Sequence, residues 1–595
     1  MLEKIKTIKK ENLYLVLALL FGFCMVFFNP PFAGVPDEGA HFYRAWGISQ
    51  GDFLACGDKI NADALGLPEE LKPMKMSVSG EEKVSMGKIK KALFEKDVQG
   101  LAPWSGAVCG SNPLGYLPQV LGIEVSKIFH LPVLWGFYLA RLFNFLVAVF
   151  LTYFALRLLP FGKIILMVVA LLPMTVQQYS SLSYDALHIS MIFLFISYVL
   201  SLAISEKKLS QRELFLLGAV AILAANIKFG FIPVMLLLLI VPWKKMNGKK
   251  FYWIYMAVVL VLGIGLFLWA QKNSISTEGV RERVYPAEQF AEVLTNPIGF
   301  ILVIINTLYR SIVFFFETFL YKPGWLNDSL SPVFYLGTFL GIILLIRNEK
   351  EKVSLSNYQR IILGMTFVAG IIFIFLSMYV FWSKVGGDKV QGVQGRYFIA
   401  ISPLIILAFY KSKFDFRWDW VHKYFSWIIV IFFLGIFAST LGAIWSIYYD
   451  TSKAVGEYSY DKYLSKEERD SLAVFTIAKN LKQTFVASKD NLLGIKIYLQ
   501  KGIYTGNINF FLKDEKCEKT LRKRSLDWTE EEVGNILINF GALYDSKNKK
   551  FCIEAELKDI RIPFKVSKDR YLEGEATADG ENISEDWVFD VVYEN

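Results

Sequence analysis

Charge is scarce in this chain: Asp, Glu, Lys and Arg make up 20% of its 595 residues, against about a quarter in an ordinary soluble domain. Cysteine is scarcer still, at five residues, which limits the chain to two internal disulfides. No period of 20 to 50 residues is evident, and the two halves do not look like inverted copies, which argues against a transporter built from repeated halves. The first apolar run, LYLVLALLFGFCMVFFN at 13–29, follows Lys4, Lys6, Lys9 and Lys10 as a signal peptide would. It lacks a small-residue cleavage site, so it reads as a retained first span with a cytoplasmic N-terminus.

What is abundant is apolar surface. Hydrophobic residues make up 54% of the chain and the mean hydropathy is +0.39, the composition of a polytopic membrane protein rather than a nucleic-acid binder. From Asp450 onward acids outnumber bases, so the formal charge of +9 belongs to the preceding part. Apolar runs lie near 132–158, 162–178, 184–204, 213–227, 229–243, 251–271, 299–320, 331–346, 361–382, 397–410 and 424–447. The basic connectors 205–213, 243–250, 347–360 and 411–423 should all be cytoplasmic. That requires 299–320, which contains Arg310 and Glu317, to be re-entrant or interfacial. The expected architecture is an α-helical polytopic domain over 1–449 with about eleven transmembrane helices and a large outer loop at 30–112. A charged helical stretch, YDKYLSKEERDSLAVF, should open the tail. Alternating runs such as IKIYLQ, INFFLK, ILINF and FCIEAEL then predict an antiparallel β-sandwich outside the membrane within 450–595.

Three polar clusters interrupt the apolar background, all on the expected outer side. In NPPFAGVPDEGAHFYRAWG, Pro36 and the acids after it suit a helix start, but Asp37, His41 and Arg44 also recur at helical spacing on one face. In LLPMTVQQYSSLSYDALHIS stand Gln177, Gln178, Tyr184, Asp185 and His188, with Asp185 alternatively a first-turn acid. In VGGDKVQGVQGRYFIAISPL, Arg396 opens a span, where it could equally snorkel to the interface. Arg141 lies near an outer span end and Lys228 at the tip of a short apolar hairpin. Arg44, Arg141, Lys228 and Arg396 suit a phosphate or pyrophosphate leaving group, and the carboxylates an acceptor hydroxyl. Cys56 and Cys109 share one outer region and Cys517 and Cys552 the other. Either pair can bridge if those regions lie outside, or the thiols stay unpaired.

The motifs PDEGAHFYRAWGISQGD, NPLGYLPQVLG, YLARLFN, LPMTVQQYSSLSYDALHIS, NIKFGFIPVMLL, PAEQF, GWLND and QGRYFIAISPL stand in that order. Together they resemble the bacterial membrane family called domain of unknown function 2142, itself similar to the GT-C glycosyltransferases. The tail resembles the jelly-roll-like sandwich appended to such proteins. The resemblance implies an inverting, polyprenyl-phosphate-sugar-dependent transferase in the bacterial cytoplasmic membrane, acting on a cell-wall or surface glycan. Asp37 and Glu38 would be its acidic pair, with Asp37 as general base. His41, Gln178, Tyr184, Asp185, Gln289, Gln394 and Tyr397 are assigned to donor or acceptor sugar. A divalent cation, Mg or Mn, would fall to Asp37, Glu38 and Asp185. Membrane lipid, a donor synthase and a flippase are the implied partners. A lipid-linked-glycan flippase or polymerase and a non-catalytic glycan-binding protein are the alternatives.

Overall fold

A computed structural model describes residues 9–32, 34–51, 53, 87, 89–90, 93–94, 108, 111–228, 230–272, 284–324, 326, 329–347, 355–410, 419–449, 459–462, 474–476, 479–543, 545–558, 564–568, 575–583, 585–587 and 589–593. The chain divides into two compact units, Met1–Tyr449 and Asp450–Asn595.

The first unit is helical. Its helices are α1 (Lys10–Phe28), α2 (Glu38–Ser49), α3 (Leu117–Ile128), α4 (Val133–Leu158), α5 (Lys163–Ala170), α6 (Pro173–Tyr179), α7 (Asp185–Ile204), α8 (Gln211–Asn226), α9 (Lys249–Lys272), α10 (Pro286–Thr295), α11 (Pro297–Leu320), α12 (Pro332–Arg347), α13 (Asn357–Trp382), α14 (Ser402–Ala408) and α15 (Asp419–Ile444). Local chemistry sets several of these boundaries. In SQRE, Ser210 Oγ accepts from Glu213 N while Glu213 Oε2 accepts from Ser210 N, so α8 starts on a reciprocal cap. Ser356 and Gln359 do the same for α13. α4 is the centre of the unit, with α1, α3 and α7 packed on it. Gly122 lets α3 come close, because a Cβ there would lie 2.5 Å from the backbone of Leu139 and Ala140.

Seven helices among the described residues are long and apolar enough to cross a membrane: α1, α4, α7, α9, α11, α13 and the stretch Tyr424–Tyr449, with α12 shorter. The expected eleven do not appear as eleven long helices. The run 162–178 is broken between α5 and α6, where Pro173 follows a turn at Leu171 and Leu172. The run 229–243 holds a 3-10 helix, Ile232–Ile240, with Pro233 in its first turn. In 397–410, a 3-10 turn at Gly395–Phe398 precedes the short α14, with Pro403 in its first turn. Each interruption sits at a proline, which removes a helical donor and disfavours helical backbone before it.

The second unit is a β-sheet region. Strands β1 (Ser459–Lys462), β2 (Val474–Thr476), β3 (Asn480–Val486), β4 (Leu492–Lys513), β5 (Thr520–Leu543), β6 (Lys550–Lys558), β7 (Phe564–Lys568), β8 (Ala576–Ala578), β9 (Glu581–Ile583), β10 (Glu585–Trp587) and β11 (Phe589–Tyr593) form one hydrogen-bonded network, in which β2, β7 and β10 join the rest through the pairing of Phe564 with Leu499. The expected helix at 460–475 is corrected at both ends, since β1 and β2 occupy them; 463–473 lie outside the described residues. IKIYLQ and INFFLK, read as two strands, are one. β4 continues through Gly502 and Gly506 because its antiparallel pairing with β5 absorbs them as register shifts. Alternate residues supply the core, among them Leu481, Phe485, Ile495, Ile497, Phe510, Leu512, Ile553 and Val591. Cys517 and Cys552 form a disulfide; Cys56 and Cys109 lie outside the described residues.

Candidate functional site

Asp37 is the pivot of the site, and it is not where helical periodicity puts it. α2 begins at Glu38, and Asp37 occupies the preceding position with φ 60° and ψ 7°, a left-handed backbone. Asp reaches that region more readily than most residues, yet the conformation is uncommon and concentrates at functional turns. The side chain caps nothing in α2. Asp37 therefore leaves the helical face it was expected to share with His41 and Arg44. Its side chain is 46% exposed, and one carboxylate oxygen lies 4.0 Å from Arg396 Nη2 on a guanidinium that is 5% exposed.

Arg396 arrives from far along the chain. Its Nη1 donates to Gln178 Oε1 at 3.2 Å, joining the second and third polar stretches to the first. Arg396 Nε is buried without a hydrogen-bond partner among the described residues, as is Gln394 Oε1. Beside them Lys228 Nζ donates to Asp185 Oδ1 at 2.5 Å. That ammonium also lies 4.2 Å from the Tyr397 ring centroid and 5.4 Å from that of Tyr184. Two cations and two carboxylates thus gather in a largely buried place.

His41 completes one wall. Its Nδ1 is 2.7 Å from the Tyr116 hydroxyl, and its ring meets Tyr184 edge to face. Burial pushes the imidazole down to about 4, against the opposing pull of Asp37 and Asp185. The ring is therefore neutral in the folded protein at neutral pH. As pH falls below about 6.5 the unfolded chain takes up this proton first. Stability contributed by the neutral ring is therefore full above that value and is lost between about 6.5 and about 4, by about 3 kcal/mol. Thermal unfolding of detergent-purified protein should show that loss in the wild type and a shallower one in His41→Gln. An identical pH slope in both would assign the effect elsewhere.

Glu38 and Arg141 need correction. Both side chains are fully buried, and they bind each other. Arg141 Nε donates to Glu38 Oε1 at 2.7 Å and Nη2 to Oε2 at 2.5 Å. Nη1 donates to the carbonyls of Val26 and Asn29, each at 2.8 Å, and Nη2 also to that of Pro30 at 3.2 Å. Every N–H of the guanidinium is thereby occupied, leaving none for a phosphate. Glu38 Oε1 also accepts from Leu182 N at 3.1 Å. The pair ties the loop before Asp37 to the turn before Asp185; it positions the site and does not face a substrate. Arg44 is buried, with Nη2 donating to the Phe53 carbonyl at 3.0 Å. Gln289 is elsewhere, accepting from Gly386 N at 3.1 Å.

Asp37, Glu38 and Asp185 do not fit a divalent cation. Glu38 is neutralised by Arg141 and Asp185 by Lys228, and the described residues contain no group of three His, Cys, Asp or Glu that could hold one.

Two contributors escaped the sequence reading. Tyr116 lies in the quoted NPLGYLPQVLG but carries no charge to single it out. Asn144 stands three residues after Arg141, one helical turn along α4, and its amide donates to the carbonyls of Ser181 and Ser183 at 2.7 and 3.0 Å. It shapes the same turn that Glu38 grips. His188, buried with neither ring nitrogen hydrogen-bonded among the described residues, packs edge-on against Phe231.

Among curated proteins none matches the chain. A family model described as predicted membrane protein, DUF2142, matches residues 19–405, a stretch that carries every charged group of the cluster. The chain therefore belongs to the DUF2142 family of membrane proteins.

Proposed function

We propose that the chain is a membrane glycosyltransferase that moves a sugar from a polyprenyl-phosphate donor to a cell-wall or surface glycan, at the outer face of a bacterial cytoplasmic membrane. The observation that carries this reading is the half-exposed Asp37 carboxylate, which accepts no hydrogen bond among the described residues and lies 4.0 Å from the buried Arg396. A carboxylate in that state is available as a base, and a guanidinium with an unpartnered Nε is available to an anionic leaving group. The donor class rests on the resemblance of the sequence motifs to GT-C enzymes.

The acceptor hydroxyl oxygen attacks the anomeric carbon as the carbon–oxygen bond to the phosphate breaks. The bonding pair leaves on the phosphate, facing Arg396, with Lys228 behind it. Asp37 takes the hydroxyl proton and, being half exposed, returns it to water. Direct displacement inverts the anomeric configuration. Asp185 pairs with Lys228 and holds it in its buried place. Gln178 holds Arg396, and Tyr184 and Tyr397 pack against the lysine. Glu38 and Arg141 keep the turn rigid. In this reading the N-terminus is cytoplasmic, and a donor synthase and a flippase supply the lipid-linked sugar.

The test uses sealed right-side-out vesicles containing the full chain, polyprenyl-phosphate hexoses labelled in the sugar, and envelope glycan added outside only. Label on the glycan, with inverted configuration, is the expected result. Label that appears only after the vesicles are opened would reverse the orientation. No transfer from any of the donors would overturn the reading.

A further inference from the structure

By length and composition α11 qualifies as a membrane span, but its contacts point to another placement. Phe300 meets Tyr379 with ring centroids 5.3 Å apart, and Phe315 meets Phe375 at 6.2 Å. From Phe300 to Phe315 is roughly 22 Å of α11, whereas from Phe375 to Tyr379 is only roughly 6 Å of α13. Two helices running side by side would advance equally between such contacts. α11 therefore crosses α13 steeply, near the end where α13 finishes at Trp382.

The polar contacts agree. The segment that leaves α13 runs along α11: Asn306 Nδ2 donates to the Asp388 carbonyl at 2.8 Å, Val390 N to Thr307 Oγ1 at 2.9 Å, and Gly395 N to Thr318 Oγ1 at 2.7 Å. Halfway along α11, Arg310 pairs with Asp388 at 3.1 Å, and these side chains are 53% and 74% exposed. In an upright span this exposed ion pair would sit in hydrocarbon, where charged groups are found paired and sheltered inside the bundle. Ile298, Leu302, Ile305, Tyr309, Ile312 and Val313 recur at helical spacing, each more than half exposed. They make one apolar stripe over the first two-thirds of the helix, from Ile298 to Val313, beside the ion pair.

We infer that α11 lies in the plane of the membrane, on the side of the Asp37–Arg396 cluster, with this stripe in the acyl region of that leaflet and the Arg310–Asp388 pair among its headgroups. The partner is the lipid leaflet itself. The arrangement reaches the site, because Gly395 rests on α11 so closely that a Cβ would fall 1.9 Å from the Phe315 carbonyl oxygen. Arg396 is the next residue, so the depth of α11 sets the depth of the buried cation. This placement does not depend on the proposed sugar transfer, and its test does not read activity.

In a background with Cys24, Cys56 and Cys109 replaced by serine, spin labels are placed singly at the six stripe positions of the full chain. Val16 and Phe27 of α1, both exposed, serve as a reference for a crossing helix. After reconstitution in phosphatidylcholine–phosphatidylglycerol vesicles, depth is read from relaxation by oxygen against a water-soluble nickel chelate. The six stripe labels should share one depth to within about 5 Å, at the shallow level of an interfacial helix, while the two α1 labels differ by the span between them. A depth that changes steadily along α11 by about 20 Å, the rise of a crossing helix, would overturn the inference. So would six labels that the nickel chelate reaches as freely as it does a label at Asp388.

Discussion

Arg141→Ala is expected to destabilise the protein by about 3–5 kcal/mol, the usual consequence of removing one partner from a buried ion pair. The reasons lie in what remains. Glu38 would keep a fully buried carboxylate with only Leu182 N as a donor, and the carbonyls of Val26, Asn29 and Pro30 would lose the guanidinium that binds them. Glu38→Gln should be milder, since Arg141 keeps its three carbonyls and the amide oxygen can still accept. Replacing both residues by hydrophobic ones of similar volume, often harmless for a buried pair, should not rescue stability here. The carbonyls of Val26 and Asn29 would still be left without their donor, at about 1–3 kcal/mol each for a buried unsatisfied group, while that of Pro30 keeps Gly34 N at 3.1 Å. Apparent melting temperatures of the purified variants in one detergent give the order. An Arg141→Ala protein as stable as wild type would remove the pair from its positioning role.

Asp37→Asn is expected to lower sugar transfer by about 10²–10⁴, the range of a lost general base. The fold should hardly respond. Asparagine tolerates left-handed backbone as well as aspartate does, and the Asp37 carboxylate, half exposed and 4.0 Å from its nearest cation, is a weak ion pair. A large loss of transfer with unchanged melting would separate chemistry from structure at this residue, whereas Arg141→Ala should move both.

These two residues also mark how far the sequence could be read. Asp37, Asp185, Lys228 and Arg396 announce themselves because each is a charge beside an apolar run, and such groups need partners or a function. Which partner each takes was not legible. Glu38 and Arg141 are 103 residues apart, and nothing local distinguishes an arginine that binds five backbone and carboxylate oxygens from one that awaits a phosphate. Lys228 and Asp185 present the same difficulty. The span count exceeded the long helices because hydropathy measures transfer to lipid and is blind to continuity. Yet Pro173, Pro233 and Pro403 stood in plain view inside the apolar runs they interrupt. In the tail, the glycines of β4 read as strand ends because a lone strand would stop there; pairing with β5 over most of its length carries it through. The left-handed backbone at Asp37 is a local departure from the helix that follows it, and no periodicity encodes that.

The central claim is that Asp37 serves the proton and Arg396 the phosphate. The most direct test places wild-type, Asp37→Asn and Arg396→Ala proteins in lipid with a labelled polyprenyl-phosphate sugar, and measures donor retention and sugar transfer separately. Asp37→Asn should retain the donor like wild type and transfer little. Arg396→Ala should retain it about ten- to a hundred-fold more weakly, the equivalent of about 1.5–3 kcal/mol for a lost charge-assisted contact. Normal transfer by Asp37→Asn, or unchanged retention by Arg396→Ala, would contradict the assignment.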